Sequence, residues 1–419
     1  MPRSRILATG LGLVLATSVV GCADLGLPMP GPTPSPTYAV TGDGVLRIGT
    51  LLPTSGADAY LGAGQIAGVE AAVREINEAG GVNGVPVEVY HRNSGDATTE
   101  TAEASYADLV AKGVDVVIGP SSSVLAQRLV EPVVAAGVPL ISPAATLPDL
   151  TGLEDDGLIL RTIGSYAAQG AAITDALAEA KATKLAYLYV DDASGQALLE
   201  SITADAEDAG LDLAYAGAFS ATSSDASSVV SAVKKAQPDA VVIASSTDAV
   251  TSTAALITAL TAAKLGGATL WLTSQNLADY SQALPAGTLD GVNGVLEGAQ
   301  PDDALIARLK QAYPAVSTYR FAEEAYDATI MAALAAVVAG DDGGPAIARL
   351  LSVISTDGVT CTSFGACVDV LRTEPDINYD GISGPVDVTS SGDVAKASWG
   401  VYVYGTGNTA SLVRTVVAG

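Results

Sequence analysis

One histidine, three cysteines and an aromatic share of 5% leave this 419-residue chain short of the side chains on which much metal and acid–base chemistry rests. Any Ser-His-acid triad would have to use His91, and no G-x-S-x-G elbow accompanies it. Phosphate-binding signatures are missing as well. There is no G-x-x-x-x-G-K-[ST], and Gly62-Ala63-Gly64 with Gly68 misses the dinucleotide spacing by one residue. Basic residues are few, 20 Lys and Arg against 46 Asp and Glu, for a formal charge of −26. Such a balance makes nucleic acid an unexpected partner and favours solubility without indicating a ligand. His91 reads as a strand-end histidine, and Asp191-Asp192 and Glu323-Glu324 as solvated faces or caps. No active site assembles, so neither catalysis nor a cofactor is expected.

Small apolar residues are abundant instead: hydrophobic residues make up 49% and mean hydropathy is +0.37. Residues 1–21 read as an export signal, with Arg3 and Arg5 followed by an apolar run from Ile6 to Val20 that is too short to span a membrane. The run ends at Val19-Val20-Gly21-Cys22, which resembles the bacterial lipobox with valine in the usual leucine place. Cys22 is therefore the expected lipidation site, the alternative being a plain signal peptide. Removing the leader takes away two arginines and no acid, moving the charge from −26 to −28. Residues 22–44 are expected to be a tether, because the five prolines between Leu27 and Thr37 favour a semi-rigid extended chain. The expectation is an exported lipoprotein, anchored to the cell membrane with its body on the outer face. Cys361 and Cys367 then remain as a close pair, read as a disulfide in an exported protein. Metal binding is the alternative, although two thiols and one imidazole cannot fill a tetrahedral site without carboxylates.

From Val45 onward apolar runs alternate with Ala-rich segments. Strands are expected over 46–52, 85–90, 114–118 and 138–141, with helices over 64–79, 99–112 and 124–136; Pro132 should kink or stop the last. A second set has strands over 185–190, 213–216, 240–244, 270–273 and 292–297 and helices over 195–209, 226–236 and 249–265. Helices over 301–312 and 320–338 and strands over 386–388 and 397–404 complete the chain. This alternation predicts βαβ units and two α/β halves. Two strand ends open into hydroxyl-bearing loops, Gly119-Pro120-Ser121-Ser122-Ser123 and Ser142-Pro143-Ala144-Ala145-Thr146. Ligands of open α/β sheets gather beyond the carboxyl ends of strands, so the two loops suggest a clamp for an anion or polar group.

Several segments between residues 45 and 404 are together specific: Leu52-Pro53-Thr54-Ser55-Gly56 with Gly62, residues 75–84 (EINEAGGVNG), Ile118-Gly119-Pro120, residues 141–146, Ala325-Tyr326-Asp327-Ala328 and residues 379–385 (YDGISGP). The body resembles the branched-chain amino-acid type of periplasmic-binding-protein-like receptors, the type I solute-binding proteins of ABC transporters. The resemblance implies two Rossmann-like lobes with parallel sheets, joined by a three-crossover hinge near residues 163, 298 and 390. Lobe 1 would hold 45–163 and 299–390, and lobe 2 would hold 164–298 and 391–419. It implies a monomer that takes a small-molecule ligand and delivers it to ABC permease and ATPase subunits. A sensory lobe pair feeding a signalling partner is the alternative. On the residues that match, Ser123 and Thr146 would hold the ligand carboxylate, with Ser122, Ala144 and Ala145 beside them; helix capping is the other role open to Ser122 and Ser123. Tyr60 or Leu61 would wall the side-chain pocket, unless Tyr60 only shields its loop. In the second lobe Ser194 stands where relatives carry a tyrosine, and Ser274-Gln275-Asn276 where amino-acid binders carry an acid. Thr247, Gln275 and Asn276 remain candidate contacts, and Asp248 is either a substitute acid or a helix-start carboxylate.

Overall fold

The computed structural model describes residues 41–246 and 249–419. The export leader, Cys22, most of the expected tether and the pair Thr247-Asp248 lie outside the described residues. Residues 41–44, expected at the end of the tether, are tied to the body. The backbone N–H groups of Thr41 and Gly42 donate to Asp341, and that of Gly44 to Asp342.

The first sheet takes the four expected strands, the second of them displaced three residues along the chain, and adds a fifth that was not expected. Its elements are β1 (Arg47–Leu52), α1 (Ala59–Glu78), β2 (Glu88–Asn93), α2 (Thr101–Ala111), β3 (Val116–Ile118), α3 (Ser123–Arg128), α4 (Val130–Ala136), β4 (Leu140–Ser142) and β5 (Ile159–Arg161). The five strands are parallel in the order β2-β1-β3-β4-β5. Strands β3 and β4 are buried throughout, which explains runs that do not alternate. The expected kink at Pro132 appears as a break at Leu129, between α3 and α4. Proline then sits in the first turn of α4, where a missing N–H leaves no intrahelical bond unmade.

The second sheet takes β6 (Lys184–Val190), β7 (Asp212–Phe219), β8 (Ala240–Ala244), β9 (Leu270–Leu272) and β10 (Asn293–Glu297) in parallel. Helices α5 (Gln169–Glu179), α6 (Ala193–Asp208), α7 (Ser227–Ala236) and α8 (Val250–Ala262) alternate with these strands. After β10 come α9 (Asp303–Ala312), α10 (Ala322–Ala339), α11 (Gly344–Leu350), β11 (Val359–Cys361), α12 (Phe364–Val370), β12 (Ile377–Gly381) and β13 (Gly384–Pro385). Strands β14 (Ala397–Tyr404) and β15 (Ala410–Ala418) then add an antiparallel edge to the second sheet, whose order is β15-β14-β10-β9-β8-β6-β7. The expected strand at 386–388 is only an isolated bridge between Val388 and Val394. Cys361 and Cys367 form the expected disulfide, joining β11 to α12.

Two α/β lobes follow from this order. Helix α10 is apolar nearly all round and almost wholly buried, so it is a core element of the first lobe. It lies close against α1 because of small residues: a Cβ on Gly68 would stand 2.0 Å from the Ala322 carbonyl oxygen. Of the glycines that nearly match a dinucleotide motif, Gly68 serves helix packing, while Gly62 and Gly64 admit the loop carbonyls of Pro53 and Thr318.

The chain passes between the sheets after β5, after β10 and after β13, and two of these passages meet the start of α10. Thr162 Oγ1 donates to the Glu324 carbonyl at 2.9 Å, while the Ala299 N–H donates to Glu324 Oε1 at 2.8 Å. The Gly298 N–H donates to the Ser398 carbonyl, linking the second passage to β14. Gly298 holds φ +94°, and a Cβ there would lie 3.0 Å from Glu324 Oε1.

Candidate ligand-binding site

The site starts where β3 and β4, neighbours in the first sheet, release the chain. Gly119 turns out of β3 at φ +115°, where a Cβ would be 2.3 Å from the Leu51 carbonyl oxygen. Only glycine fits that approach. Two residues on, Ser121 Oγ donates to Gln65 Oε1 of α1 at 2.7 Å. Neither Ser122 nor Ser123 caps α3 with its side chain. Ser123 Oγ instead accepts the Leu147 N–H from the other loop at 3.1 Å.

A second bond ties the loops in the opposite sense. Ser142, the last residue of β4, donates its hydroxyl to the Pro120 carbonyl at 2.6 Å and accepts the Ala145 N–H at 3.0 Å. Beneath this pair lies Arg161, which ends β5 and is 2% exposed. Its Nη1 donates to the carbonyls of Ala145 and Leu147 at 3.1 and 3.0 Å, which brackets Thr146. Its Nη2 reaches Thr151 Oγ1, and its Nε reaches Asp393 Oδ1 at 2.7 Å. Burial pulls the guanidinium pKa below its ordinary value, and the Asp393 carboxylate opposes that pull.

The cross-bonding leaves donors free. A serine hydroxyl carries one proton and two lone pairs, so Ser123, already accepting from Leu147, still has its proton to give. Among the described residues the Thr146 hydroxyl makes no hydrogen bond, while its carbonyl is fixed by the Tyr166 N–H at 2.7 Å. Two hydroxyl donors on rigid, mutually bonded loops suit a carboxylate, since hydrogen bonds to ionised acceptors are the stronger kind.

The remaining predicted residues fall into three groups. Leu61 is buried with Ala144, Ile163 and Phe321, which puts an apolar patch beside the clamp. Tyr60 is 56% exposed and does not join that cluster. Ser194 and Gln275 meet each other, Nε2 to Oγ at 3.3 Å, on the second lobe. Asn276 is spent internally: Oδ1 accepts the Thr273 N–H at 2.8 Å, and Nδ2 donates to the Ile243 carbonyl and Ser245 Oγ. Thr247 lies outside the described residues. His91 is set in β2, with Nδ1 on Thr50 Oγ1 and Nε2 on Glu70 Oε1. Thr50 is fully buried in the sheet, so this row of three is a packing contact.

A cavity of about 770 Å³ opens at the amino ends of the second sheet's parallel strands, beside Lys181, Asp239, Trp271 and Arg414, and includes none of the predicted residues. Ligand chemistry in parallel sheets belongs to the opposite edge.

The periplasmic binding protein family model matches residues 45–391. The chain belongs to the periplasmic binding protein family. Among the relatives of this periplasmic binding protein is the chemotactic signal transduction system substrate-binding protein BasB of Halobacterium salinarum, 28% identical over 83% of this chain and 84% of that protein. The leucine-, isoleucine-, valine-, threonine- and alanine-binding protein of Pseudomonas aeruginosa is 32% identical over 48% of this chain and spans about half of its own length, 53%. An ABC transporter substrate-binding protein from Desulfitobacterium hafniense, solved in complex with Leu, superposes with a TM-score of 0.63 at 21% identity, covering 88% of this chain and all of that one, 100%. That likeness establishes the two-lobed fold.

Sequence reasoning missed Gln65 and Arg161, which hold the two loops of this binding protein in shape. Gln65 lies inside an expected helix, where its pattern marks no role, whereas Ser142 opens the second hydroxyl-bearing loop. Arg161 carries a usable signal: a lone cation directly after the apolar run Leu158-Ile159-Leu160 requires buried partners.

Proposed function

We propose that this chain is the extracytoplasmic receptor of an ABC importer, capturing a small polar ligand that bears a carboxylate in the cleft between its lobes. Branched-chain or related amino acids and amide or carboxylate compounds are the class to test. The observation that carries the reading is the pair of cross-bonded loops at the ends of β3 and β4, with Ser123 and Thr146 offering donors to one carboxylate. Residues 45–163 with 299–390 form one closing lobe and residues 164–298 with 391–419 the other. Cys22 carries a lipid that keeps the body at the outer face of the cell membrane, and a permease and ATPase receive the ligand. No catalytic step is assigned.

Thermal-shift screening against branched-chain amino acids, amides, urea and aromatic acids tests this directly. A ligand-dependent rise in melting temperature is expected, because a ligand bound only by the folded state stabilises it by mass action. Flat responses across the panel would count against a receptor.

A sensory role is the second reading, favoured by the long alignment with a chemotactic substrate-binding protein. Permease and two ATPase genes beside this gene would support uptake, and an adjacent kinase would support sensing.

A further inference from the structure

Four of the eight buried side-chain polar atoms that lack a partner among the described residues lie at the end of β10 and the start of α10: Glu297 Oε2, Arg320 Nε, Glu323 Oε2 and Glu324 Oε2. Buried polar atoms are nearly always paired, and leaving one unmade costs more than a made bond returns. The concentration falls where the chain makes its second passage between the lobes. Glu297 ends β10 on the second lobe, and Arg320 stands two residues before α10 on the first.

Glu297 and Arg320 form an ion pair across the lobes, and it is half made. Arg320 Nη2 donates to Glu297 Oε1 at 3.4 Å, long for a bond between charged groups. The adjacent Nε and the other oxygen, Oε2, are both buried with no partner among the described residues. The Nε–Nη2 edge of a guanidinium matches the two oxygens of a carboxylate, so the two unmade halves belong to one fork. The first acids of α10 do not compete for the cation. Burial pushes the carboxyls of Glu323 and Glu324 up to about 9 and about 8, so both are uncharged at neutral pH, and Glu324 Oε1 already accepts the Ala299 N–H.

Each partner is held by its own lobe. The Arg320 guanidinium lies 4.7 Å over the ring of Phe321, and that ring is buried against Leu61, Ala144 and Ile163 beside the clamp. Phe321 keeps this place at φ +62°, a conformation that a bulky side chain adopts only when its surroundings enforce it. Glu297 is fixed in β10, opposite Trp399 of β14. Packing of Phe321 against the clamp sets the pair on the cleft side of the passage, where closing brings the lobes together. Meeting of Nε and Oε2 would satisfy both buried atoms at once.

Resting on the receptor reading above, we propose that Arg320 and Glu297 are a latch between the lobes: closing the cleft adds the bond from Nε to Oε2, and the finished fork sets how much of the receptor is closed. The pair touches no ligand. It acts through the closed population, with which the affinity for every ligand scales.

Stopped-flow titration of the full chain tests this, with every branched-chain amino acid, amide, urea or aromatic acid that wild type binds. Glu297→Gln, nearly isosteric, and Arg320→Gln should weaken each binder by the same factor, at least about 5-fold, as expected for one bond between charged groups. The loss should appear in the off-rate, and the double variant should be no worse than either single one, because the two residues share one interaction. Arg320→Lys keeps the charge without the fork and should fall with the glutamine variants. If E297Q does not fold, the two Arg320 variants, at a side chain 32% exposed, decide by the same off-rates. The latch is overturned if either glutamine variant or Arg320→Lys binds as wild type does, if the double variant loses the product of the two factors, or if the loss lies in the on-rate alone. A loss confined to E297Q and to compounds bearing an ammonium overturns it too, since Glu297 would then touch the ligand. In all of these cases the receptor reading stands. Wild type that binds nothing in the panel ends both.

Discussion

Arg161 Nε donates to Asp393 Oδ1 at 2.7 Å, fastening the end of β5 to the segment that leads into β14. The same guanidinium holds the carbonyls on either side of Thr146. Arg161→Met is therefore expected to lower stability by about 3 to 5 kcal/mol, the usual cost of breaking a buried pair from one side. Arg161→Lys keeps the charge but loses the planar fork, so it should fall in between. Urea unfolding checks both, and a methionine variant as stable as wild type would refute the assignment.

Asp327 explains why two separated motifs, Ala325-Tyr326-Asp327-Ala328 and the 379–385 segment, occur in one chain. Its buried carboxylate accepts from the Tyr379 hydroxyl at 2.7 Å and from the N–H groups of Ile382 and Ser383 at 3.0 and 2.7 Å. Burial raises its pKa to about 6 even against these donors. Asp327→Asn would turn an amide N–H₂ toward donors. A loss on the order of 3 kcal/mol is expected in denaturant melts, and little change would mean that the loop is held by other contacts.

How much of this was legible beforehand depends on which period the residues keep. Buried strands such as β3 and β8 are continuous β-branched or apolar runs and stand out as such. Edge strand β15 has mixed exposure and carries Thr415 and Arg414 among its valines, so it lacks both the buried run and a clean alternation. Short β5 is masked by Arg161. The clamp loops were readable because hydroxyls follow strand ends, yet which hydroxyl faces a ligand depends on tertiary bonds. Ser142 and Ser123 look alike in sequence, but Ser142 is committed to Pro120 and Ser123 keeps its proton. Asn276 shows the reverse, a plausible contact whose amide the loop consumes.

Glu324 gives stability a pH dependence of definite sign. Burial raises its carboxyl from 4.5 to about 8, although the Ala299 N–H pulls the other way. Between those two values the folded chain keeps a proton that the unfolded chain has released, so stability falls as pH rises through the window and levels off above it. Glu323, raised to about 9 by burial and then by Glu324, adds the same trend further up. Glu324→Gln should melt higher than wild type above about pH 8 and show a shallower decline from about pH 5. Scanning calorimetry across that range decides, and an unchanged slope would place the titration elsewhere.

Ser123 and Thr146 are separable by what else each one does. Thr146→Val keeps the shape and removes a hydroxyl that makes no hydrogen bond among the described residues, so the loss should appear in ligand affinity alone, at least about 1 kcal/mol or roughly fivefold. Ser123→Ala removes the same kind of donor and also strands the Leu147 N–H, so it should cost affinity and about 1 kcal/mol of stability as well. If both hydroxyls hold one carboxylate, the double variant should fall short of additivity, because groups sharing a partner are coupled. Titration of the four proteins with whichever ligand the thermal screen returns measures that coupling. Strict additivity with unchanged melting of Ser123→Ala would separate the two residues and dissolve the clamp.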